Sequence, residues 1–300
     1  MLNRLWHKAF LEERPSVSLG FFRMAVAFTV GAHVVPTLLH LDDNYLSTAF
    51  KEKNVSFFPI GFLSLVDKSP DALVVFMTGL FLVSVVCFAL GFLTQASCIV
   101  MTACCYYFYA LNSLHIGTLS YDILLVTLFL MCVTPYPGDS LSLDAKRKRR
   151  SFFAAVGRPV FLQRLLQLQV ASTFFYTGLS KITAHGNWIG ENPIYYLLNS
   201  TSESVVKSFP LRAFFAARPE WCHAIGLGIV AFELSLGVLI FVGRTRTFYV
   251  AAGCLFMLLL LVTLHVPTIF FFLFPPQLLL FIEPEKVTEL MRRLRKTPAR

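Results

Sequence analysis

The sequence predicts an all-α, polytopic transmembrane helix bundle of about eight spans, with both termini in the cytoplasm. Composition is the first reason. Of 300 residues, 56% are hydrophobic and only 14% are charged, with a mean hydropathy of +0.66. Soluble domains carry about 25% charged residues, so this chain has too little polar surface to cover a water-facing globule. The same numbers exclude disorder, collagen and coiled coil. The second reason is pattern. The apolar stretches are continuous over about 20 residues, as membrane helices require, and do not alternate in ten-residue segments as barrel strands do. The third is the uneven placement of basic residues, which sets orientation.

Lipid demands a backbone whose hydrogen bonds are satisfied internally, so each long apolar run is expected to be a helix. The first is Val17 to Leu41. The second, Ala72 to Leu93, is separated by a Thr94-Gln95 break from the third, Ala96 to Leu111. The fourth, Leu119 to Val133, is stopped by Pro135-Tyr136-Pro137-Gly138. The fifth is Val160 to Ile182, and the sixth, Cys222 to Val242, ends at Gly243-Arg244-Thr245-Arg246. The last stretch, Thr247 to Ile282, is too long for one span, and Pro267 divides it into two short helices.

With the N-terminus inside, 17 Lys and Arg fall on the inner side and 6 on the outer loops, while Arg23, Arg164 and Lys181 lie in helices. The net charge of +9 is therefore read as topology, with membrane lipids as partners and no nucleic acid. The run Lys146-Arg147-Lys148-Arg149-Arg150 reads as a stop-transfer signal and anionic-headgroup contact. The domain organisation is a cytoplasmic segment 1–16, a transmembrane domain 17–282 with an outer loop 183–220, and a basic cytoplasmic tail 283–300. The outer loop holds an amphipathic stretch, Asn192 to Phe215, and the tail a basic amphipathic helix from Lys286. The first 16 residues are too charged for a cleaved signal peptide, so Val17 to Leu41 is expected to be an uncleaved anchor. Sequons stand at Asn54-Val55-Ser56 and Asn199-Ser200-Thr201, without meaning in a bacterium; the expected location is multi-pass in a bacterial inner membrane. Six of the seven cysteines lie inside apolar stretches and Cys222 at a boundary, with no zinc or disulfide spacing.

Ionisable residues inside spans are costly and mark candidate sites. Arg23 either snorkels to the inner interface or pairs with a carboxylate, Glu233 being the favoured partner. His33, three residues before Pro36, is placed to bond a carbonyl freed by a kink. Asp122 stands where it can cap the fourth span. Glu233, half-way along the sixth span, is either structurally paired or catalytic. Lys181, at the outer end of the fifth, either snorkels to headgroups or serves as a base. His265 opens the turn His265-Val266-Pro267, where it can titrate or hydrogen-bond. No metal-ligand set, nucleophile elbow, Walker loop or dinucleotide fingerprint occurs, and His115 and His185 lack ligand spacing.

The stretch Tyr176-Thr177-Gly178-Leu179-Ser180-Lys181-Ile182, followed by Asn187-Trp188-Ile189-Gly190, resembles the HTTM (horizontally transferred transmembrane) domain. This is the membrane part of vitamin K-dependent γ-carboxylases and their bacterial relatives. Leu90-Gly91-Phe92-Leu93-Thr94-Gln95 looks like the family's glycine turn after the second span. Pro135-Tyr136-Pro137-Gly138, then Ser142-Leu143-Asp144, looks like its inner turn after the fourth. Glu233, Gly243-Arg244-Thr245-Arg246 and His265 follow in the family's order. The resemblance implies that Lys181 stands where the carboxylases place the base that deprotonates vitamin K hydroquinone. A quinone or hydroquinone is then the implied ligand. In the carboxylases, its oxidation yields the strong base that removes a glutamate γ-proton before CO2 adds. Two features depart from them. No large lumenal region follows the membrane domain, and the carboxylases' Asn-His-Ser-Tyr run has only Ser120-Tyr121-Asp122 here, with His115 upstream.

Two function classes follow. One is a quinone- or lipid-dependent membrane enzyme, with Lys181 as base, Tyr176 and Trp188 lining the site with Asp122 and Arg23, and Glu233 or His265 assisting. The alternative is a non-catalytic membrane subunit that assists export, maturation or assembly of a membrane-protein partner. A transporter ranks third, because no internal repeat is visible.

Overall fold

A computed structural model describes residues 7–49, 66, 69–112, 116, 119–153, 156–183, 187–200, 210–264 and 268–296. Among these are 13 helices and one short two-stranded sheet. The chain divides into two compact units, Met1–Leu166 with Glu283–Arg300, and Gln167–Ile282.

The first unit is built around α1 (Val17–Leu38), whose buried face runs Phe22, Val26, Val30 and Val34. These positions recur every four residues, the spacing that keeps one helix face against a neighbour. The short α2 (Leu41–Asn44) follows. Next come α3 (Asp71–Leu90), α4 (Thr94–Leu111) and α5 (Leu119–Cys132), packed α1 on α3, α3 on α4 and α4 on α5. Phe81, Phe88, Met101, Phe108, Leu124 and Leu128 fill the interior. After a 3-10 turn (Tyr136–Gly138) comes α6 (Leu143–Arg149). Strands β1 (Glu13–Pro15) and β2 (Gly157–Pro159) pair antiparallel, with Arg14 opposite Arg158. The final helix of the chain, Pro284–Lys296, packs on α1 and β1 and carries the basic amphipathic pattern expected of the tail.

The second unit takes most of α7 (Phe161–Thr183), then α8 (Pro193–Asn199), α9 (Arg212–Ala216), α10 (Pro219–Leu239), α11 (Arg246–Thr263) and α12 (Thr268–Leu279). Helices α8 and α9 pack over the start of α10. Leu198 and Cys222 are buried there among Ile194, Leu197 and Phe215. The amphipathic stretch expected over Asn192 to Phe215 is thus two short helices, with 201–209 outside the described residues.

The expected spans correspond to α1, α3, α4, α5, α7, α10, α11 and α12, with ends shifted by a few residues. Leu41 starts a separate helix, and α10 begins at Pro219, which suits a helix's first turn because it lacks an N–H. The long last stretch is indeed broken, between Thr263 and Thr268. Among the described residues, four helices are long and apolar enough to cross a membrane: α1, α3, α10 and α11. Helices α5 and α12 are apolar but shorter. Helix α7 is 23 residues long, yet Gln163, Arg164, Gln167 and Gln169 lower its hydropathy. Exposed Val75, Phe76, Val83, Val86 and Leu90 give α3 an apolar outer face that suits lipid, not water.

Candidate functional site

Helix α7 meets α10 along a seam of small residues. A Cβ at Gly237 would lie 2.6 Å from Phe175 Cβ and 2.9 Å from the Ala171 carbonyl oxygen. A Cβ at Gly178 would lie 3.0 Å from Leu234 Cγ and 3.1 Å from Glu233 Cβ. Glycine at both places lets the backbones approach, as small residues do between membrane helices. The close approach brings Lys181, one turn beyond Gly178, over Glu233. Lys181 Nζ donates to both carboxylate oxygens, at 2.8 Å to Oε1 and 2.6 Å to Oε2. The Glu233 side chain is 7% exposed and that of Lys181 20%.

Trp188 completes this site. Its ring lies 5.3 Å from Lys181 Nζ, within cation–π range, and its amide donates to the Lys181 carbonyl at 3.1 Å. Asn187 sets the loop's path. It takes φ +30, and its carbonyl accepts from the amides of Gly190 and Glu191, at 2.9 and 2.7 Å. A Cβ at Gly190 would meet the Asn187 side-chain amide, which would have to turn away. Asn192 Nδ2 donates to the Pro219 carbonyl, fastening the loop to the first turn of α10. Tyr176 stands apart from this cluster. It lies five residues before Lys181, on another face of α7, and is 67% exposed.

The other candidates in the first unit have partners of their own. Arg23 is fully buried, and its guanidinium donates to the carbonyls of Pro137 (3.0 Å), Leu141 (2.5 Å) and Ala89 (3.3 Å). The expected Arg23–Glu233 pair is therefore corrected. Glu233 takes Lys181, and Arg23 serves three turn carbonyls, because a buried guanidinium needs acceptors and the turns leave carbonyls unpaired. Asp122 stands in the first turn of α5 and accepts from the Tyr109 side chain. His33 bonds the Ile116 backbone beside the Tyr121 ring, 5.5 Å away, and not a carbonyl freed by Pro36. His265, His115 and His185 lie outside the described residues.

The turns around Arg23 were singled out in the sequence only as a resemblance, and they form a hydrogen-bonded knot. Gly91 ends α3 at φ +67, the left-handed conformation that glycine takes at low cost. Asp144 caps α4, accepting from the amides of Leu93 (3.0 Å) and Thr94 (2.8 Å) and from the Thr94 hydroxyl (2.8 Å). Partial burial alone would raise its carboxyl pKa, but these bonds, with Lys148 nearby, outweigh burial and hold it below the ordinary value of 3.8. Asp139 binds Arg158 at 2.7 Å and Arg149 at 3.0 Å, and the hydrogen bond to Asp139 raises the Arg158 pKa. A signal that could have found this knot is Ser142 itself, since a serine just before a helix suits its N-cap. Ser142 Oγ indeed accepts from the Ala145 amide at 2.8 Å.

The motif residues of both units thus lie at turns and seams that hold helices together. The family profile for the HTTM domain matches residues 12–285 of the chain. The chain belongs to the HTTM domain family. Neither a curated protein nor a solved structure matches it. With its apolar helices, this HTTM protein is a membrane protein in contact with lipid. The family match spans the Gly91 knot and the Lys181–Glu233–Trp188 cluster alike. In this HTTM domain the pair can hold and pass a proton. Either tautomer, ammonium with carboxylate or amine with carboxylic acid, is neutral overall, so the pair can accept one further proton beside an anionic oxygen.

Proposed function

We propose that the protein is a membrane enzyme acting on a quinone- or hydroquinone-class lipid, with the Lys181–Glu233 pair as its base. The observation that carries this is the two-bond contact of Lys181 with a nearly buried carboxylate, under an indole, among apolar helices. A hydroquinone O–H donates its proton to the pair, which goes from neutral to singly positive. The ammonium of Lys181 then stabilises the oxygen anion, an interaction strengthened where water is excluded. Trp188 offers an aromatic face to the ligand ring. Arg23, Asp122 and Tyr176 are left outside this role, and His265 remains a candidate to assist.

The bias of basic residues supports a reading with both termini in the cytoplasm and the Lys181 end of α7 on the outer side, and the membrane in this reading is a bacterial inner membrane. In this reading the domain limits are 1–16, 17–282 and 283–300. One observation favours the alternative of a non-catalytic subunit for export, maturation or assembly of another membrane protein. Lys181 and Glu233 fill each other's strongest hydrogen bonds, as a purely structural clamp also would.

Extraction of lipids from the purified full chain separates the two. The enzyme carries a bound quinone-class lipid that Trp188→Leu depletes. Absence of any redox lipid, together with a protein that persistently co-purifies, contradicts it.

A further inference from the structure

The Gly91 knot borders a cavity of about 550 Å3, within the roughly 300–1,000 Å3 usual for small-ligand pockets. Arg147, Lys148 and Arg149 of α6 and Arg158 of β2 line it, with Asp139 and Asp144. Both acids are already engaged. Asp139 is held by Arg149 and Arg158, and Asp144 by the amides that begin α4. Lys148 also lies near Asp144, so the four cations of the lining exceed its two acids by two charges, and Arg147 and Lys148 are the cations exposed at the cavity. Leu93 lines the same cavity and is 54% exposed, so an apolar surface adjoins the cations. The cavity sits where α3 ends and α4 begins, the level at which headgroups meet apolar helices.

We propose that this cavity binds the phosphate of an anionic phospholipid, held by Arg147 and Lys148 with Arg149 and Arg158 completing the positive lining. An arginine fork and a lysine point charge suit phosphate oxygens, and Leu93 meets the start of the acyl chains. The basic run is thereby divided in two. Arg147, Lys148 and Arg149 face a built site, whereas Lys146 and Arg150 carry equal charge and do not line the cavity.

That division supplies the test. The full chain is equilibrated in vesicles of phosphatidylcholine and phosphatidylglycerol in equal amounts, and the lipid retained after mild extraction is read by native mass spectrometry. The wild type is expected to retain phosphatidylglycerol selectively. Arg147→Gln with Lys148→Gln lowers that retention on the order of tenfold, while Lys146→Gln with Arg150→Gln leaves it unchanged. All four side chains are exposed, and monodisperse elution checks that both variants fold. Equal loss in the two double variants means a diffuse basic surface and overturns the proposal, as does a wild type without preference. Inorganic phosphate at matched ionic strength is expected to leave the lipid bound. Phosphate binding without phosphatidylglycerol retention overturns the lipid assignment.

Discussion

A methyl group at Gly91 would meet the Arg23 guanidinium and the Ser142 side chain, at a backbone φ of +67 that disfavours any Cβ. Gly91→Ala is therefore expected to cost about 2–4 kcal/mol, from left-handed strain plus overpacking, and to lower the thermal midpoint in detergent. An unchanged midpoint would show that the knot gives way easily. Asp144 makes its own prediction through pH. Its folded pKa lies below the ordinary 3.8, so the stability it contributes is complete above pH 3.8. That contribution is lost as pH falls further, through the folded value. Asp144→Asn should lower the midpoint at neutral pH and reduce the difference from wild type under strong acid. A difference that does not depend on pH would show that the carboxylate charge has no part in the cap.

Helices α7 and α10 are joined by two glycines and one ion pair, and the cost of breaking the pair can be separated from its chemistry. Lys181→Met leaves a carboxylate 7% exposed without its cation, expected to cost about 3–5 kcal/mol. Lys181→Met with Glu233→Leu removes both charges and should recover most of that stability, because apolar replacements of buried pairs are commonly neutral or better. Thermal unfolding of wild type, single and double variants measures this. A double variant as unstable as the single would place the loss in packing and not in charge. At this scale the sequence was readable for some elements and not for others. Continuous apolar runs announced α1, α3, α10 and α11, because lipid admits little else. The break near Pro267 was legible from the length of the stretch together with the proline itself. The partner of Glu233 was not. Small residues at Ala171, Ser172 and Thr177 beside Gly178 suit close approach to another helix, but which helix and in what register depends on packing that spacing does not encode. Arg23 was misassigned for the same reason. Its acceptors are carbonyls 66 to 118 residues away, and any turn offers carbonyls whatever its side chains.

For the whole molecule, membership of the HTTM family was legible because its motifs mark turns and helix contacts in a fixed order, and the match covers residues 12–285. Function was less legible, because one lysine–glutamate pair suits both a base and a clamp. The double variant distinguishes them, since it retains the clamp's stability and lacks the proposed base pair. The most direct measurement is oxidation of vitamin K hydroquinone, followed by oxygen uptake, with the full chain in lipid nanodiscs. Turnover is expected from the wild type and none from Lys181→Met with Glu233→Leu, although that variant remains folded. A folded double variant that turns over at the wild-type rate would contradict that expectation.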